Sequence, residues 1–128
     1  MSVEVFDDLI GETLRSVRLS VGNGNDVVIF EKSDGVKWFM YHPQNCCEYV
    51  TLEEVIGDLS DLEDSPLLMA EVVSSEVGTN EWTFYKFRTA KGDVTFRWCG
   101  DLDSYYSIEV TFGPHTGTWI PSELRDLV

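Results

Sequence analysis

Residues 81–99 read EWTFYKFRTAKGDVTFRWC, and their alternation of apolar and polar side chains predicts two neighbouring strands of an antiparallel sheet. A two-residue turn at Lys91-Gly92 would join them, which pairs Tyr85 with Trp98 and Lys86 with Arg97. One face of this hairpin is apolar and is expected to face the core: Tyr85, Phe87, Val94, Phe96 and Trp98. The opposite, outer face mixes aromatic and basic side chains: Trp82, Phe84, Lys86, Arg88, Thr95 and Arg97.

This register creates a like-charge pair, Lys86 opposite Arg97, which is unfavourable unless an acidic residue lies nearby. The next alternating segment, residues 105–112, offers Glu109 on its outward side. Its core side carries Tyr106, Ile108, Val110 and Phe112. We therefore expect this segment to lie beside the second strand of the hairpin, with Glu109 between the two bases.

Four further segments have the composition of strands: residues 17–21, 27–31, 36–41 and 67–73. Asp34-Gly35 is a strong turn signal, so the second and third of these segments are expected to form another hairpin. Three further segments are expected to be loops: residues 22–25, 74–80 and 113–121.

Three short segments carry the signals of helices instead. Residues 4–10 are predicted to form a helix that stops near Gly11, and Ser122 can cap a terminal helical turn. Thr51-Leu-Glu-Glu54 fits a capping box, which predicts a short helix ending near Gly57. We therefore expect an α+β fold with a single domain over residues 1–128. It would hold a largely antiparallel, twisted sheet of about six or seven strands and two or three short helices.

The composition is that of a folded domain, because 43% hydrophobic residues can bury enough apolar surface to offset the entropy of ordering. The N-terminal residues lack the basic and apolar regions of a signal peptide, and no apolar run reaches the ~20 residues that span a bilayer. The three cysteines, Cys46, Cys47 and Cys99, form an odd set. Reduced thiols in a cytoplasmic protein are therefore expected rather than a disulfide framework.

Negative charge is concentrated in residues 38–85, which we call the acidic segment. The chain carries a net charge of −14, from 23 acidic and 9 basic residues. The acidic segment holds ten of the acidic residues and contains no Lys or Arg. A field of one sign repels nucleic acid and anionic membranes and attracts basic surfaces. Six of its residues are the predicted partner-binding carboxylates: Glu53, Glu54, Asp58, Asp61, Glu63 and Asp64.

His42, Cys46 and Cys47 form the tightest cluster of potential metal ligands, and Cys99 can complete a set of four. Thiolate and imidazole are the ligands of tetrahedral zinc. The spacing is not that of a zinc finger, and adjacent cysteines point in opposite directions along a strand. Buried thiols and a hydrogen-bonded His42 are therefore the favoured interpretation, and no metal or cofactor is expected.

No arrangement typical of an enzyme stands out. A catalytic thiol at Cys46 or Cys47, with His42 or His115 as base, needs an electropositive environment, and these cysteines open the acidic segment. Paired carboxylates are frequent, but 23 acidic residues produce such pairs by composition alone. The outer face of the hairpin can in principle stack single-stranded nucleic acid. The overall charge opposes this, so a face covered by a helix or by the tail with Trp119 is favoured.

Several motifs follow one another in a fixed order: His42-Pro-Gln-Asn-Cys-Cys-Glu48, Gly57-Asp-Leu-Ser-Asp-Leu62, Ser65-Pro-Leu-Leu-Met-Ala-Glu71, Trp82-Thr-Phe-Tyr85, Gly92-Asp-Val-Thr-Phe-Arg-Trp98 and Tyr105-Tyr-Ser107. With these motifs the chain resembles a family of small acidic proteins encoded largely by bacteriophages and prophages. The resemblance covers about residues 9–112, and residues 113–128 look like an extension. It implies a phage accessory protein, and it transfers no catalytic residue.

The expectation for function is therefore a non-enzymatic, acidic binding protein in the cytoplasm of a host cell. It would block a basic, nucleic-acid-binding surface of a host defence protein, as a nucleic-acid mimic or an anti-CRISPR-like inhibitor, and would not bind nucleic acid itself. Two alternatives stay open. One is a metal- or thiol-dependent module built on His42 and the three cysteines, and the other is a phage structural or assembly component.

Overall fold

The computed structural model describes residues 2–21, 26–43, 48–101 and 108–114, and these residues form nine strands. A single turn of 3₁₀ helix, Leu59–Leu62, is the helical element within these ranges. The strands are β1 (Ser2–Val5), β2 (Leu14–Ser20), β3 (Val27–Lys32), β4 (Lys37–Tyr41), β5 (Val50–Ile56), β6 (Met69–Val77), β7 (Asn80–Thr89), β8 (Gly92–Asp101) and β9 (Thr111–Pro114).

The strands form two antiparallel sheets that pack face to face as a β-sandwich. The five-stranded sheet has the order β1-β6-β7-β8-β5, and the four-stranded sheet has the order β2-β3-β4-β9. One buried apolar cluster takes side chains from both sheets, which places the core between them. No helix of the described residues has the length and apolar character needed to cross a membrane.

Phe30 of β3 is the aromatic centre of this core. Its fully buried ring lies 5.2 Å from the ring of Phe87 and 5.6 Å from that of Phe96, both on the opposite sheet. Phe112 of β9 lies 5.2 Å from the same ring. A second contact between the sheets joins Trp98, whose indole N–H donates to the sulfur of Met40 over 3.1 Å.

The predicted α+β fold class is wrong, because the described part of the chain is nearly all sheet. The helix expected after the capping box at Thr51 is strand β5, which pairs with β8. Pairing turns Leu52 and Val55 toward the core, where they pack against the main cluster. Burial of these side chains and the ladder of hydrogen bonds outweigh the weak local signal for a cap.

The helix expected over residues 4–10 is also wrong. The chain leaves β1 at Val5, and the N–H of Phe6 still donates to the carbonyl of Ala70 over 2.9 Å, as in a strand. Two successive tight turns follow, in which Leu9 donates to Phe6 over 3.0 Å and Ile10 donates to Asp7 over 3.2 Å. Leu9 is fully buried, so tertiary packing rather than helical periodicity sets this segment.

The hairpin of β7 and β8 has the predicted faces but not the predicted register. Thr89 pairs with Gly92, so the turn residues are Ala90 and Lys91, and Tyr85 pairs with Phe96. The register differs from the prediction by two residues, and a shift of two keeps every side chain on its face. The predicted core face is therefore confirmed, since all five of its side chains are buried: Tyr85, Phe87, Val94, Phe96 and Trp98.

The 3₁₀ segment holds the turn in its observed place. The hydroxyl of Thr89 accepts a hydrogen bond from the N–H of Lys91 over 3.2 Å and donates to the carbonyl of Asp61. The ammonium group of Lys91 donates to the carbonyl of Glu63 over 2.7 Å. These contacts join parts of the chain about 28 residues apart, so a local turn rule cannot anticipate them.

The expected like-charge pair on the outer face does not form. Lys86 lies opposite Thr95, and Arg97 lies opposite Phe84 on β7 and Glu54 on β5. The expectation that Glu109 separates the two bases is wrong. In the described part of the predicted 105–112 strand, only residues 111 and 112 are in a strand, β9, and β9 pairs with β4 of the other sheet. The carbonyl of Glu109 instead lies 2.7 Å from Nδ1 of His42.

The remaining strand predictions are mostly confirmed. The hairpin around Asp34-Gly35 joins β3 and β4, and β2 spans most of residues 17–21. Residues 74–77, predicted to be loop, belong to β6 instead. Gly113 and Pro114 close β9, whereas residues 115–128, with the predicted terminal turn at Ser122, lie outside the described residues.

Gly57 directly follows β5, at a point where the chain passes close to β8. Its φ is +111°, and a Cβ at this position would overlap the backbone carbonyl oxygen of Asp93 and lie 3.2 Å from the Cα of Val94. Gly11, with a φ of +87°, offers a matched control, because a Cβ there would meet nothing within 4 Å. We expect Gly11→Ala to lower the free energy of unfolding, measured in urea, by about 1 kcal/mol from backbone strain alone. Gly57→Ala should lower it by about 2 kcal/mol more, because the new methyl group overlaps β8. Equal decreases for the two variants would contradict the close approach of Gly57 to β8.

Candidate functional site

The six predicted partner-binding carboxylates lie in two places on the molecule. Glu53 and Glu54 lie on β5, at the edge of the five-stranded sheet. The other four lie in and around the 3₁₀ segment that follows: Asp58, Asp61, Glu63 and Asp64.

A β-bulge explains why both carboxylates of β5 point to the same side. The register of β5 against β8 shifts between Leu52 and Glu54, so Glu53 is the extra residue of the bulge. Strict alternation would turn Glu54 toward the core and Val55 away from it. With the bulge, both glutamates lie on the outer face and Val55 packs against the core.

Two of the six carboxylates have local structural roles. Asp58 caps the 3₁₀ segment: its carboxylate accepts from the hydroxyl of Ser60 over 2.8 Å and from its backbone N–H over 3.0 Å. These hydrogen bonds lower the pKa of Asp58. The carboxylate of Glu63 accepts the backbone N–H of Val17 on β2 over 2.9 Å, which ties the segment to the edge of the four-stranded sheet.

The other carboxylates differ in how far they remain available. Glu54 forms an ion pair with Arg97 on the outer face. Asp61 lies against the hairpin turn, beside Gly92. Within the described ranges, no hydrogen bond or ion pair engages the carboxylates of Glu53 and Asp64, and both residues are exposed. Glu53 and Asp64 are therefore the exposed members of the predicted set whose carboxylates form no hydrogen bond or ion pair with the described part of the chain.

A groove of about 340 Å³ opens on the outer face of the five-stranded sheet, where β5, β8 and β7 run side by side. Thr51, Cys99 and Trp82 occupy one row across these strands, with Cys99 in the middle. The principal lining residues are Tyr49, Thr51, Glu53, Trp82, Cys99 and Asp101. Tyr49 is 77% exposed and stands at the margin of the groove.

The Cys99 thiol lies in the groove close to two carboxylates, those of Glu53 and Asp101. Burial is the main cause that raises the pKa of Cys99, and the nearby carboxylates of Glu53 and Asp101 raise it further. Arg97 acts in the opposite direction but is the weakest of these influences. A raised pKa keeps Cys99 in the thiol form, so this residue is a poor nucleophile.

The cations of the outer face are matched by neighbouring acids. The guanidinium of Arg97 lies 4.8 Å from the centre of the Trp82 ring, which itself stacks on Phe84 at 6.5 Å. Arg88 donates to the carboxylate of Asp93 over 2.7 Å. Lys86 lies opposite Glu71 of β6. Arg88 and Arg97 therefore each have an acidic partner, whereas Trp119, the expected cover of this face, lies outside the described residues.

His42 is buried, and both of its ring nitrogens are engaged. The Nδ1 atom lies 2.7 Å from the carbonyl oxygen of Glu109, and because that carbonyl can only accept, Nδ1 donates this hydrogen bond. The Nε2 atom lies 3.0 Å from the carboxylate of Glu48, whose side chain is 0% exposed. This pair links β4, the start of β5 and the segment before β9.

This geometry disfavours His42 as a metal ligand, because neither ring nitrogen has a lone pair directed to open space. Cys46 and Cys47 lie outside the described residues, and Cys99 belongs to the groove. The described ranges hold no group of three His, Cys, Asp or Glu residues placed to bind a metal.

Sequence reasoning missed the groove and the partner of His42. Tyr49, Thr51 and Asp101 meet Glu53 and Trp82 only through strand pairing and the bulge, and no local pattern announces a bulge. The pairing of His42 with Glu48 is indicated by the sequence, because these two residues begin and end the motif His42-Pro-Gln-Asn-Cys-Cys-Glu48. The cysteines of the same motif indicate a metal site instead.

The fold and its surface define a small antiparallel β-sandwich domain with a strongly acidic segment. The chain belongs to a family described as a domain of unknown function (DUF7448), whose model matches residues 7–112. The resemblance drawn from the motifs is thereby confirmed at the level of an uncharacterised family. No curated protein and no solved structure matches the chain.

Replacement of Glu48 tests the buried pair. Glu48→Ala leaves the Nε2 atom of His42 buried opposite an apolar side chain, so the free energy of unfolding should fall by about 3–5 kcal/mol. Glu48→Gln retains a hydrogen-bonding group of the same length and should lose about 1–2 kcal/mol. Urea unfolding measures both, and a Gln variant as unstable as the Ala variant would show that an amide cannot replace the carboxylate in this pair.

Alkylation of Cys99 tests the negative field of the groove. In a chain with Cys46→Ser and Cys47→Ser, Cys99 should react with iodoacetamide at pH 8 more slowly than free cysteine. Glu53→Gln should speed the reaction, because removal of a nearby negative charge favours the thiolate. The matched control Glu71→Gln, on the same sheet face but outside the groove, should leave the rate unchanged, and a rate unaffected by Glu53→Gln would contradict the assigned field.

Proposed function

We propose that this domain is a non-enzymatic binding protein that covers a basic, nucleic-acid-binding surface of a partner protein. The observation that carries the proposal is the separation of charge: ten acidic residues and no Lys or Arg in residues 38–85. A surface of one sign is attracted to the lysines and arginines that hold phosphates, and it steers association with them.

The internal use of the cations supports this proposal. Arg88 and Arg97 face Asp93 and Glu54, and the ammonium group of Lys91 is bound to backbone carbonyls. The outer face therefore offers nucleic acid few cations that are not already matched, whereas Glu53 and Asp64 remain exposed. A domain of this kind binds a basic protein surface more readily than a phosphate backbone.

The family resemblance supplies a biological setting for the proposal. As a phage accessory protein in the cytoplasm of a host cell, the domain would act as a nucleic-acid mimic that inhibits a defence nuclease, in the manner of an anti-CRISPR protein. Inhibition requires only occupation of a basic groove, and no catalytic residue is needed. The metal-dependent alternative is disfavoured at His42, because both of its ring nitrogens are committed to Glu48 and Glu109, whereas Cys46 and Cys47 lie outside the described residues.

Affinity capture tests the proposal. The tagged domain is incubated with host-cell lysate at low salt, and bound proteins are eluted by a salt gradient and identified by mass spectrometry. We expect a nucleic-acid-binding protein that elutes sharply, because salt screens exposed charges. The purified partner should then lose nucleic-acid binding or cleavage when the domain is added, and the domain alone should not retard DNA.

A matched pair of variants gives this experiment a control. Glu53→Gln with Asp64→Asn removes two charges of the acidic segment, and affinity for the partner should fall about tenfold. Asp7→Asn with Asp8→Asn removes two exposed charges outside that segment and should change affinity little. Recovery of virion proteins in the capture experiment would instead favour a structural or assembly component. If the two pairs of substitutions changed affinity equally, the acidic residues would act only as a general solubilising charge.

A further inference from the structure

We propose that the groove between β5, β8 and β7 binds a single arginine side chain of the partner protein. This inference rests on the proposed function and deepens it, because it assigns the basic partner a particular side chain and a particular place on the surface. The lining combines an aromatic ring with an exposed carboxylate, Trp82 with Glu53, which is the chemistry that recognises a guanidinium.

Charge complementarity favours a cation as the occupant. Glu53 and Asp101 both act on the Cys99 thiol as negative charges, and together with burial they outweigh the opposing effect of Arg97. The bulge places the exposed carboxylate of Glu53 at the groove, and Glu53 has no partner within the described ranges. An anionic or apolar occupant would leave this carboxylate unmatched and partly desolvated.

The fold already holds one guanidinium by the same chemistry, one row away. Arg97 lies 4.8 Å from the ring centre of Trp82 and pairs with the carboxylate of Glu54. The groove offers the corresponding set one residue earlier on β5, with Trp82 again as the aromatic wall and Glu53 as the carboxylate. The bulge therefore places two neighbouring glutamates in different environments. Glu54 forms an ion pair with Arg97, and Glu53 lines the open groove.

Arginine fits this site better than lysine. A guanidinium is planar, so it can lie against the indole and donate two parallel hydrogen bonds to a carboxylate, whereas an ammonium is a compact and strongly hydrated charge. A volume of about 340 Å³ between side chains of neighbouring strands suits one extended side chain rather than a folded segment. Tyr49, at the margin, can cover the aliphatic part of that side chain.

The test uses N-acetyl-arginine amide as the probe and N-acetyl-citrulline amide as its uncharged analogue of the same shape. Each is titrated into the ¹⁵N-labelled full chain, and amide and indole N–H shifts are recorded by NMR. We expect arginine to shift the signals of Trp82, Cys99 and Thr51 in a saturable way, and citrulline to leave them in place. Lysine amide should bind about threefold more weakly than arginine amide.

Two variants separate the groove from general charge. Glu53→Gln should weaken arginine binding about three- to fivefold, while Asp64→Asn, an equally exposed loss of charge on the 3₁₀ side, should not change it. The spectrum of each variant also reports whether it is folded. Shifts spread over all acidic residues, or equal weakening by the two variants, would overturn the assigned site.

A ten-residue arginine- and lysine-rich peptide distinguishes failure of this inference from failure of the proposed function. If the peptide binds in a salt-sensitive way while arginine amide leaves the groove signals unchanged, the arginine site is refuted and the proposed function stands. If neither ligand binds, both are refuted. If arginine amide binds the groove and Glu53→Gln also weakens binding of the peptide, the site and its role in partner binding are both supported.

Discussion

Contact between aromatic rings of the two sheets is the constraint on which the rest of this structure depends. Phe30 on one sheet meets Phe87 and Phe96 on the other, and Phe112 closes the same cluster. Aromatic rings contribute large buried areas and prefer tilted contacts, which fixes both the distance and the relative rotation of the sheets. Once this side of β7 and β8 is committed to the core, their other side must face outward. The outer face, with its groove and its matched ion pairs, is therefore a consequence of how the core is built.

The sequence predicted the faces of the central hairpin well, because alternation is a local property and survives an error of two residues in register. It predicted the turn less well, since Thr89 and Lys91 are held by Asp61 and Glu63 from a distant segment. It failed at residues 51–57 for a related reason. There the pattern Thr-Leu-Glu-Glu satisfies a helix cap locally, while the core requires Leu52 and Val55 on one side of a strand.

The candidate site shows the same division between local and non-local information. The concentration of acidic residues in residues 38–85 is visible in the sequence itself. The sequence does not show which carboxylates already have partners within the fold. Glu63 accepts a hydrogen bond from the backbone of β2, and Glu54 forms an ion pair with Arg97. The bulge at Glu53 reconciles an apolar requirement at Val55 with two consecutive acidic residues, and it leaves Glu53 exposed at the groove.

Both sheets end in a strand whose exposed backbone is met by a carboxylate. At the edge strand β5, the N–H of Leu52 donates to Asp26 over 2.9 Å, and at the edge strand β2 the N–H of Val17 donates to Glu63 over 2.9 Å. An unprotected edge invites another strand to add to the sheet, and occupied donors, bulges and charges oppose that addition. Part of the acidity of this chain thus serves to keep copies of it from joining edge to edge. Copies protected in this way stay dispersed instead of adding strands to one another and growing into fibrils.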